Sequence, residues 1–376
     1  MKKICLVCEA RLAQRDFSEV ECEISDCSLC RGVFSRESEL LENFRSYEEI
    51  SDVCISVKLA FVAEEISDVR IFSVKDALKT RLRRKLPAFA TPSSPLLPSV
   101  HLEISAASSG EVSVRVVRES VFVVGKYRKT SRKISQSKWF AASEVQPETS
   151  IEELLVAAIS RAMKTEIKNF RFSASGREDL DVRMLGDGRT FCLEIPDLRN
   201  FRGLLSHGLD GRLAFPLTCV LADEVADKFA FTNFRLADKP FVKFLATAAE
   251  THKKLYACVI HSKTPLPADL DATALPADVE IAQLTPIRTL QRRANAVRKK
   301  VLHEISLSRL NDHFAFARLT TSAGMYIKEF VHGDLGRTRP SLPELLGLDG
   351  PMDILQLDVL GVQEDEAAAY PGHFSL

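Results

Sequence analysis

Two pairs of cysteines near the N-terminus have the spacing of metal ligands. Cys5 and Cys8 form one C-x2-C pair, and Cys27 and Cys30 form another after eighteen intervening residues. Each pair offers two thiolates from one tight turn, and two such turns can enclose a tetrahedral Zn²⁺ with Zn–S distances of ~2.3 Å. Four protein ligands leave no open coordination position, so we predict a structural rather than a catalytic zinc. Cys22 lacks the knuckle spacing and is predicted to be dispensable.

A charged segment from Ser175 to Arg189 is the second candidate for chemistry. Its sequence, SGREDLDVRMLGDGR, holds three arginines, three aspartates, one glutamate and three glycines. This composition suits an active site in which an aspartate must stay ionised, because arginine keeps its proton and meets a carboxylate with two hydrogen bonds. The alternative is a solvated hairpin loop, in which each exposed ion pair contributes ~0 to 1 kcal/mol. The segment alone does not decide between these interpretations.

The elements that must position these residues alternate between helices and strands. A helix is predicted from Ser150 to Ile167, because Ser150 and Glu153 have capping-box spacing and apolar residues recur at intervals of three and four. Strands are predicted at FRFSAS and RTFCLEI, on either side of the charged segment, and at KLYACVIHS. Further helices are predicted at SVKDALKTRLRRKL, ADKPFVKFLATAAETHK and within MYIKEFVHGDLG. No regular strand–helix–strand repeat is present, which favours an α+β fold.

Composition indicates a soluble, cytoplasmic protein with more than one domain. The chain has 376 residues, of which 45% are hydrophobic, and 51 basic side chains balance 51 acidic ones. No apolar run approaches the ~18 residues of a membrane span, and the N-terminal apolar stretch is too short for a signal peptide. Nine cysteines without a secretory signal disfavour a disulfide framework. Neither a GxGxxG fingerprint nor a P-loop is present, so we expect no nucleotide or other organic cofactor.

Basic residues gather in three segments despite the neutral average. These segments are Lys79–Lys85 (KTRLRRK), Lys126–Lys138 (KYRKTSRKISQSK) and Arg288–Lys300 (RTLQRRANAVRKK). Such segments are candidate surfaces for a polyanionic partner. An exposed helix or loop is the alternative interpretation of each.

Four segments together resemble one enzyme family. They are GKYRKTSRKISQSKW at Gly125–Trp139, GREDLDVRMLG at Gly176–Gly186, QLTPIRTLQRR at Gln283–Arg293 and SAGMYIKEFVHGDLGRTRP at Ser322–Pro340, and they follow the paired cysteines in the family's order. In this combination the chain resembles the archaeal and eukaryotic tRNA pseudouridine synthases that modify uridines 54 and 55 of the TΨC loop. The resemblance implies isomerisation of uridine to pseudouridine as the activity and tRNA as the partner.

The resemblance also implies a domain organisation. It places a zinc-binding module at 1–31, a THUMP-containing RNA-binding domain at 32–146 and the catalytic domain at 147–376. The expected catalytic domain has the pseudouridine synthase fold, a mixed, largely antiparallel sheet flanked by helices. Structural zinc is the implied cofactor, no membrane partner is implied, and we expect a monomer that is cytoplasmic or, in a eukaryotic host, also nuclear.

The implied chemistry assigns roles within the charged segment. Pseudouridine formation breaks the N-glycosidic bond, turns the uracil and rejoins it through C5, and a carboxylate beside the anomeric carbon can act as nucleophile or stabilise positive charge. By resemblance, the order Arg-x-Asp makes Asp179 the nucleophile and assigns a catalytic role to Arg177. Asp181 is the alternative, because in an extended segment it would share a face with Asp179. Lys328 matches the basic residue that pairs with the catalytic aspartate.

Aromatic and basic residues are implied for substrate binding. Tyr256 matches a tyrosine whose ring stacks on uracil and whose hydroxyl relays a proton, whereas the structural alternative is a half-buried strand tyrosine. Tyr326 matches a second base-contacting position, although Met325 replaces the small residue usual before it. Flipping the uridine out of a folded arm costs a few kcal/mol, and basic loops can hold the displaced phosphates. The residues expected to do so are Arg288, Arg292 and Arg293.

Two other classes of function remain open at the level of sequence. Another THUMP-bearing RNA-modifying enzyme, such as a methyltransferase or a thiolation enzyme, would need a glycine-rich cofactor strand or a P-loop, and the sequence has neither. A noncatalytic tRNA-binding or folding module would keep the scaffold without turnover. Pseudouridine mapping on a bare tRNA separates this module from an enzyme.

Overall fold

The computed structural model describes ten stretches of the chain, which are residues 4–22, 24–42, 53–60, 73–85, 100–107, 111–139, 146–198, 227–272, 275–291 and 293–363. The chain divides into two compact units. The first consists of Met1–Val121, Lys168–Phe170 and Glu194–Gly211, and the second of Phe122–Ile167, Arg171–Leu193 and Arg212–Leu376. The domain boundaries expected at 31 and 146 stay predictions. In the described stretches, every helix is too short or too polar to cross a membrane.

The first unit packs short helices against a three-stranded sheet. Its elements are α1 (Leu6–Leu12), α2 (Glu37–Glu42), β1 (Val53–Leu59), α3 (Val74–Lys85), β2 (Val100–Ala106) and β3 (Val112–Arg118). Strand β1 runs parallel to β2, and β3 runs antiparallel to it. Helix α3 begins as predicted, because the Ser73 hydroxyl accepts a hydrogen bond from the Asp76 backbone N–H at 3.1 Å. The apolar sides of α3 and of the sheet share one buried core with the four paired cysteines.

The second unit is built on a large mixed sheet. Its strands are β4 (Val121–Lys129), β5 (Ile134–Ser135), β6 (Thr149–Ser150), β7 (Arg171–Ala174), β8 (Val182–Ile195), β9 (Phe229–Ala237), β10 (Lys253–Ser262), β11 (Val279–Leu284), β12 (Val297–Arg309), β13 (Phe314–Thr321), β14 (Thr338–Arg339) and β15 (Met352–Gln363). Its helices are α4 (Ile151–Met163), α5 (Lys239–Thr251), α6 (Ile327–His332) and α7 (Leu342–Leu346). The sheet order is β14-β11-β12-β13-β10-β15-β8-β4-β9, with β7 beside β8.

Strand direction confirms the predicted fold class. Strand β10 lies antiparallel to both β13 and β15, and β12 lies antiparallel to both β11 and β13. Strand β15 pairs with β8 in parallel. The sheet is therefore mixed and largely antiparallel, and helices accompany it, as an α+β protein requires.

Helix α4 begins at the predicted N-cap residue, Ser150. The Ser150 hydroxyl accepts from the Glu153 N–H at 3.1 Å and donates to the Glu153 carboxylate at 2.8 Å. The helix ends at Met163 rather than at Ile167, because Lys164 adopts a left-handed conformation with φ of 51°. Its buried side carries Leu155 and other apolar residues at helical spacing.

The charged segment divides into a loop and a strand, which corrects the expectation of a loop between two strands. Strand β8 begins at Val182, so that Arg183 and Arg189 lie in the strand and only residues 175–181 form the connection from β7. Gly186 permits this arrangement, because its φ is +59° and a Cβ there would lie 2.1 Å from the Leu360 carbonyl oxygen. The second half of the charged segment, from Val182 to Arg189, is therefore part of the sheet.

Candidate active site

The loop before β8 holds Asp179 between two cations. The Asp179 carboxylate accepts a hydrogen bond from the Arg288 guanidinium at 3.0 Å, and Lys328 Nζ lies 3.4 Å from the same oxygen. Arg288 comes from the 3-10 helix Ile287–Thr289, and Lys328 from α6. The Asp179 side chain is 42% exposed, so its carboxylate remains accessible to a substrate. Three segments distant in sequence therefore meet at one carboxylate.

Arg288 is fixed by a second acid. Its Nε donates to Glu329 Oε1 at 2.7 Å, and the Glu329 side chain is only 1% exposed. A guanidinium held on one side by a buried carboxylate loses little further conformational freedom when it meets Asp179 on the other. The predicted binding residue Arg288 thus acts first as an anchor for Asp179.

Lys328 makes its shortest contacts with Asp181. Its Nζ donates to the two Asp181 carboxylate oxygens at 2.9 and 2.8 Å. Partial burial favours the neutral acid, but hydrogen bonding and attraction to Lys328 hold the pKa of Asp181 below its usual range. The expected contact of Lys328 with Asp179 is present, and it is shared with the alternative aspartate.

Arg177 does not contact Asp179. It is exposed, and among the described residues it makes no hydrogen bond or ion pair. The intervening Glu178 points into the interior toward Arg189, so that the residues on either side of it turn outward. The cation that the sequence places at Arg177 is supplied in the structure by Arg288 and Lys328.

A network of buried hydrogen bonds, which the sequence did not predict, holds the loop that carries Asp179. The Glu178 carboxylate accepts from Arg189 Nε at 2.9 Å and from the Tyr127 hydroxyl at 2.9 Å. Arg189 also donates to the Ser175 carbonyl at 2.9 Å, and the Gln136 amide donates to the Tyr127 hydroxyl at 2.7 Å. Burial and the Glu178 charge raise the pKa of Tyr127 well above its usual value, so Tyr127 remains a hydrogen-bond donor. The only sequence feature that could have indicated this network is the high density of charged residues in the segment.

Part of the basic segment Lys126–Lys138 faces the same loop. Lys129 Nζ donates to the carbonyls of Asp179 at 3.1 Å and Leu180 at 3.0 Å. Arg132 donates to the Asp181 carbonyl at 2.7 Å and to the Asp358 carboxylate at 2.6 Å. Two cations that sequence patterning assigns to a candidate RNA surface therefore bind the protein itself.

Tyr256 lies on β10 and is buried, with 9% of its surface exposed. Burial is the main cause that raises its pKa to about 12, with opposing influences from Arg189 and Glu178. Lys254, two positions earlier on the same strand face, is 6% exposed, and burial followed by repulsion from Arg189 lowers its pKa to about 8. A Cβ on Gly176, whose φ is +108°, would lie 2.7 Å from Lys254 Nζ, so this close approach requires glycine. The roles of Tyr256 in stacking and proton transfer stay predictions.

Tyr326 and Arg293 form a second pair of predicted binding residues. Arg293 donates to the Tyr326 hydroxyl at 3.0 Å. The buried Gln283 side chain holds the Tyr326 backbone, because its amide donates to the Tyr326 carbonyl at 2.9 Å and its oxygen accepts from the Tyr326 N–H at 2.8 Å. Met325 is 5% exposed and packs in the interior. Arg292 lies outside the described residues.

The paired cysteines form a cluster that can hold a metal ion. All four are fully buried, and their Sγ atoms lie within 4.8 Å of one another. The Cys5 and Cys30 Sγ atoms are 3.7 Å apart, close to the ~3.8 Å edge of a tetrahedron with Zn–S bonds of ~2.3 Å. Cys22 lies outside the cluster, and its thiol donates to the Ile24 carbonyl at 3.6 Å. The predicted ligand set therefore has the donor type and spacing of a four-thiolate site.

Comparison with known proteins identifies relatives along nearly the whole chain. A family model described as "Pus10, C-terminal" matches residues 122–363. A human protein named tRNA pseudouridine synthase Pus10 is 34% identical over 277 residues, which are 73% of this chain and 48% of that protein. Proteins of the same name from Thermofilum pendens and Methanothermobacter marburgensis are 30% and 31% identical, over 95% and 90% of this chain and 80% and 86% of theirs.

The extent of these matches differs between relatives. The chain spans about half the length of the mouse, human and Xenopus laevis relatives that it matches. Among solved structures, a Cbf5-Nop10-Gar1 complex shows 14% identity and a TM-score of 0.33, with 65% of this chain and 50% of that chain covered, which is too distant to support an argument. The family model covers Asp179, Tyr256, Arg288 and Lys328 together. This chain belongs to the Pus10 family.

Proposed function

We propose that this chain is a tRNA pseudouridine synthase that isomerises uridine to pseudouridine at position 54, position 55 or both in the TΨC arm. The observation that carries the proposal is the half-exposed carboxylate of Asp179, which Arg288 and Lys328 approach from two other segments. Membership of the family supports tRNA as the substrate of these three residues.

Asp179 is the proposed nucleophile. Its carboxylate acts at the ribose of the target uridine, either by bonding to the sugar or by stabilising its positive charge, while the electron pair of the glycosidic bond leaves with the uracil N1. The uracil then turns and bonds to the sugar through C5, which breaks any bond between the sugar and Asp179 and releases the carboxylate. The proton on C5 is transferred away as the N1–H forms. Atoms are conserved throughout, so the isomerisation needs no external reagent.

Arg288 and Lys328 place positive charge beside the Asp179 carboxylate. RNA bound over the loop would exclude water and raise the pKa of an isolated carboxylate, because burial favours the neutral acid. Two adjacent cations oppose this effect. Arg288 is held in place by Glu329 before substrate arrives, which fixes the geometry in advance.

Tyr256, Tyr326 and Arg293 are proposed to receive the flipped nucleotide. Tyr256 supplies an aromatic face and a hydroxyl that stays protonated, since its pKa is about 12. Arg293 and Tyr326 already share a hydrogen bond, so the arginine can hold a phosphate while the phenol contacts a base. Arg177, exposed on the loop, is proposed to contact RNA rather than Asp179.

The four-cysteine cluster is proposed to hold zinc and to stabilise an RNA-binding N-terminal region that contains a THUMP domain. A site whose ligands are all thiolates suits Zn²⁺, and a closed site acts in structure rather than in catalysis. The protein is proposed to act as a monomer on tRNA in the cytoplasm, with a nuclear location also open in a eukaryotic host.

The deciding experiment is pseudouridine mapping on an unmodified tRNA transcript incubated with purified protein. We expect pseudouridine at position 54, 55 or both with the wild-type chain and none with Asp179→Asn. A wild-type protein that binds tRNA without forming pseudouridine would support the noncatalytic tRNA-binding module instead. Pseudouridine at another position would preserve the reaction and overturn the proposed target.

A further inference from the structure

A buried lysine holds the backbone of the loop that carries Asp179. Lys129, at the end of β4, is 0% exposed. Its Nζ donates to the carbonyls of Ile134 at 2.9 Å, Asp179 at 3.1 Å and Leu180 at 3.0 Å. An ammonium group has three N–H donors, so these three carbonyls use all of them. Lys129 therefore has no donor left for RNA.

Burying a charged side chain in this position costs free energy, which a side chain that only filled space would not need. Removing an ammonium from water carries a large desolvation penalty, which hydrogen bonds and neighbouring opposite charges must compensate. Carbonyl dipoles and the nearby acids compensate part of this penalty, and the acids are Glu178, Asp179 and Asp181. What the lysine adds over an apolar residue is a fixed position for two consecutive peptide groups.

We propose that Lys129 is a positioning residue that fixes the peptide groups of Asp179 and Leu180, so that the Asp179 carboxylate stays between Arg288 and Lys328. Arg132 binds the next carbonyl of the loop, that of Asp181, while the Asp358 carboxylate accepts from the other end of its guanidinium. We call these contacts of Lys129 and Arg132 with the loop carbonyls the clamp. Three consecutive loop carbonyls are thereby bound by two cations from one segment. The proposal rests on the function proposed above and extends it to the residues that hold the nucleophile.

The protonation of Lys129 predicts a pH dependence of the reaction rate. Burial, with a further contribution from Arg132, lowers the pKa of Lys129 to about 8, although Glu178, Asp181 and Asp179 favour the charged form. A neutral amine has two N–H donors for three carbonyls, so the loop loses part of its clamp as the pH rises through this value. Between about 8 and the ordinary value of 10.5 the unfolded chain binds more protons at this lysine than the folded chain. The free energy of unfolding should therefore rise with pH across this range, whereas the reaction should slow.

The test compares Lys129→Met with Lys243→Met, a control that removes the same charge from an exposed position on α5. Single-turnover rates on a tRNA transcript, tRNA affinity and thermal stability are measured for both. For Lys129→Met we expect a rate loss of ~100-fold, as displacement of a catalytic group by about 1 Å can produce, with affinity within about threefold and a lower melting temperature, because three carbonyls lose their donor. For Lys243→Met we expect wild-type rates. A wild-type rate in Lys129→Met, or parallel losses of rate and affinity, would overturn the proposal.

A conservative variant separates positioning from folding. Lys129→Arg keeps its charge at every assay pH, so it should retain part of the rate and should not show the fall above about pH 8 that we expect of the wild type. If Lys129→Met does not fold, this comparison of pH profiles decides. The same fall in Lys129→Arg would assign it to another group, such as Lys254, and contradict the proposal. An inactive wild type would instead overturn the proposed function, and the Asp179→Asn control makes the two failures distinguishable.

Discussion

Lys328 lies closer to Asp181 than to Asp179, with Nζ–Oδ2 distances of 2.8 and 3.4 Å. Only Asp179 receives a hydrogen bond from Arg288 as well. The two aspartates therefore differ in a way that their spacing does not reveal. The Asp179 carboxylate contacts two cations, whereas Asp181, although more exposed, engages Lys328 with both of its oxygens. This arrangement favours Asp179 as the nucleophile and Asp181 as the residue that holds Lys328 beside it.

The first prediction concerns these two acids. Asp179→Asn should abolish pseudouridine formation and leave tRNA affinity within a few-fold of wild type, because affinity is spread over many phosphate contacts. Asp181→Asn should slow the reaction by ~10-fold, since Lys328 loses an ionic partner while the nucleophile remains. Single-turnover assays and tRNA titrations at one salt concentration measure both effects. Activity in Asp179→Asn together with inactivity of Asp181→Asn would reverse the assignment.

The second prediction concerns the buried pair of Glu178 and Arg189, each with a side chain that is 1% exposed. Glu178→Gln leaves the Arg189 charge without its counterion, so the free energy of unfolding should fall by about 3 kcal/mol. The matched control is Glu148→Gln, which breaks an exposed ion pair with Lys228 and should change stability by less than about 1 kcal/mol. Denaturant unfolding measures both changes. Equal effects of the two substitutions would show that the buried pair does not support the loop.

Local sequence patterns predicted helices α3, α4, α5 and α6 and several of the strands, but not helices α1 and α7. Ser150 with Glu153 and Ser73 with Asp76 mark helix starts through side chain–backbone contacts that depend on neighbours in sequence. Strand β8 was placed too late, because its first residues combine charges with two glycines, a composition typical of turns. Its extended conformation comes from pairing with β15, more than 170 residues away, which no local pattern contains.

The sequence predicted most of the residues of the candidate site but only some of the contacts between them. The charge of the segment made it a candidate, whereas the choice of Asp179 and of Lys328 came from the family resemblance. The replacement of Arg177 by Arg288 could not be predicted, because it depends on Glu178 turning inward to Arg189. Likewise, the inward orientation of Lys129 is set by tertiary packing, whereas a run of basic residues ordinarily indicates a solvated surface.

The third prediction concerns the metal cluster. The purified wild-type chain should contain one zinc ion, and the double variant Cys5→Ala, Cys27→Ala should contain close to none. Cys22→Ala should keep the metal, because its thiol lies outside the four-thiolate cluster. Metal analysis by mass spectrometry measures these contents. Loss of zinc in Cys22→Ala would place the ligand set elsewhere.

Removal of zinc should affect folding more than chemistry. A closed structural site contributes to folding, so a chelator should unfold the N-terminal region and weaken binding of full-length tRNA. The single-turnover rate on a minimal stem-loop, with enzyme in excess, should fall much less. A chelated protein that keeps its N-terminal fold but loses the chemical step would contradict the structural role.

The last prediction separates chemistry from binding at Tyr256. This tyrosine is buried on β10, and its pKa of about 12 keeps the hydroxyl protonated at ordinary assay pH. Tyr256→Phe keeps the aromatic face and removes the proton, so it should lower the catalytic rate much more than it weakens binding. Tyr256→Leu should reduce both, because it also removes a stacking surface worth ~1 to 3 kcal/mol.

Single-turnover assays with enzyme in excess and filter-binding titrations at one salt concentration make the comparison, and thermal unfolding checks that both variants are folded. The phenylalanine variant is the more informative of the two, because it keeps the buried aromatic ring and removes only the hydroxyl. If Tyr256→Phe reacts at the wild-type rate, the tyrosine serves as a stacking platform or a strand residue. The proton leaving C5 must then be taken by Tyr326, by solvent or by the Asp179 carboxylate itself.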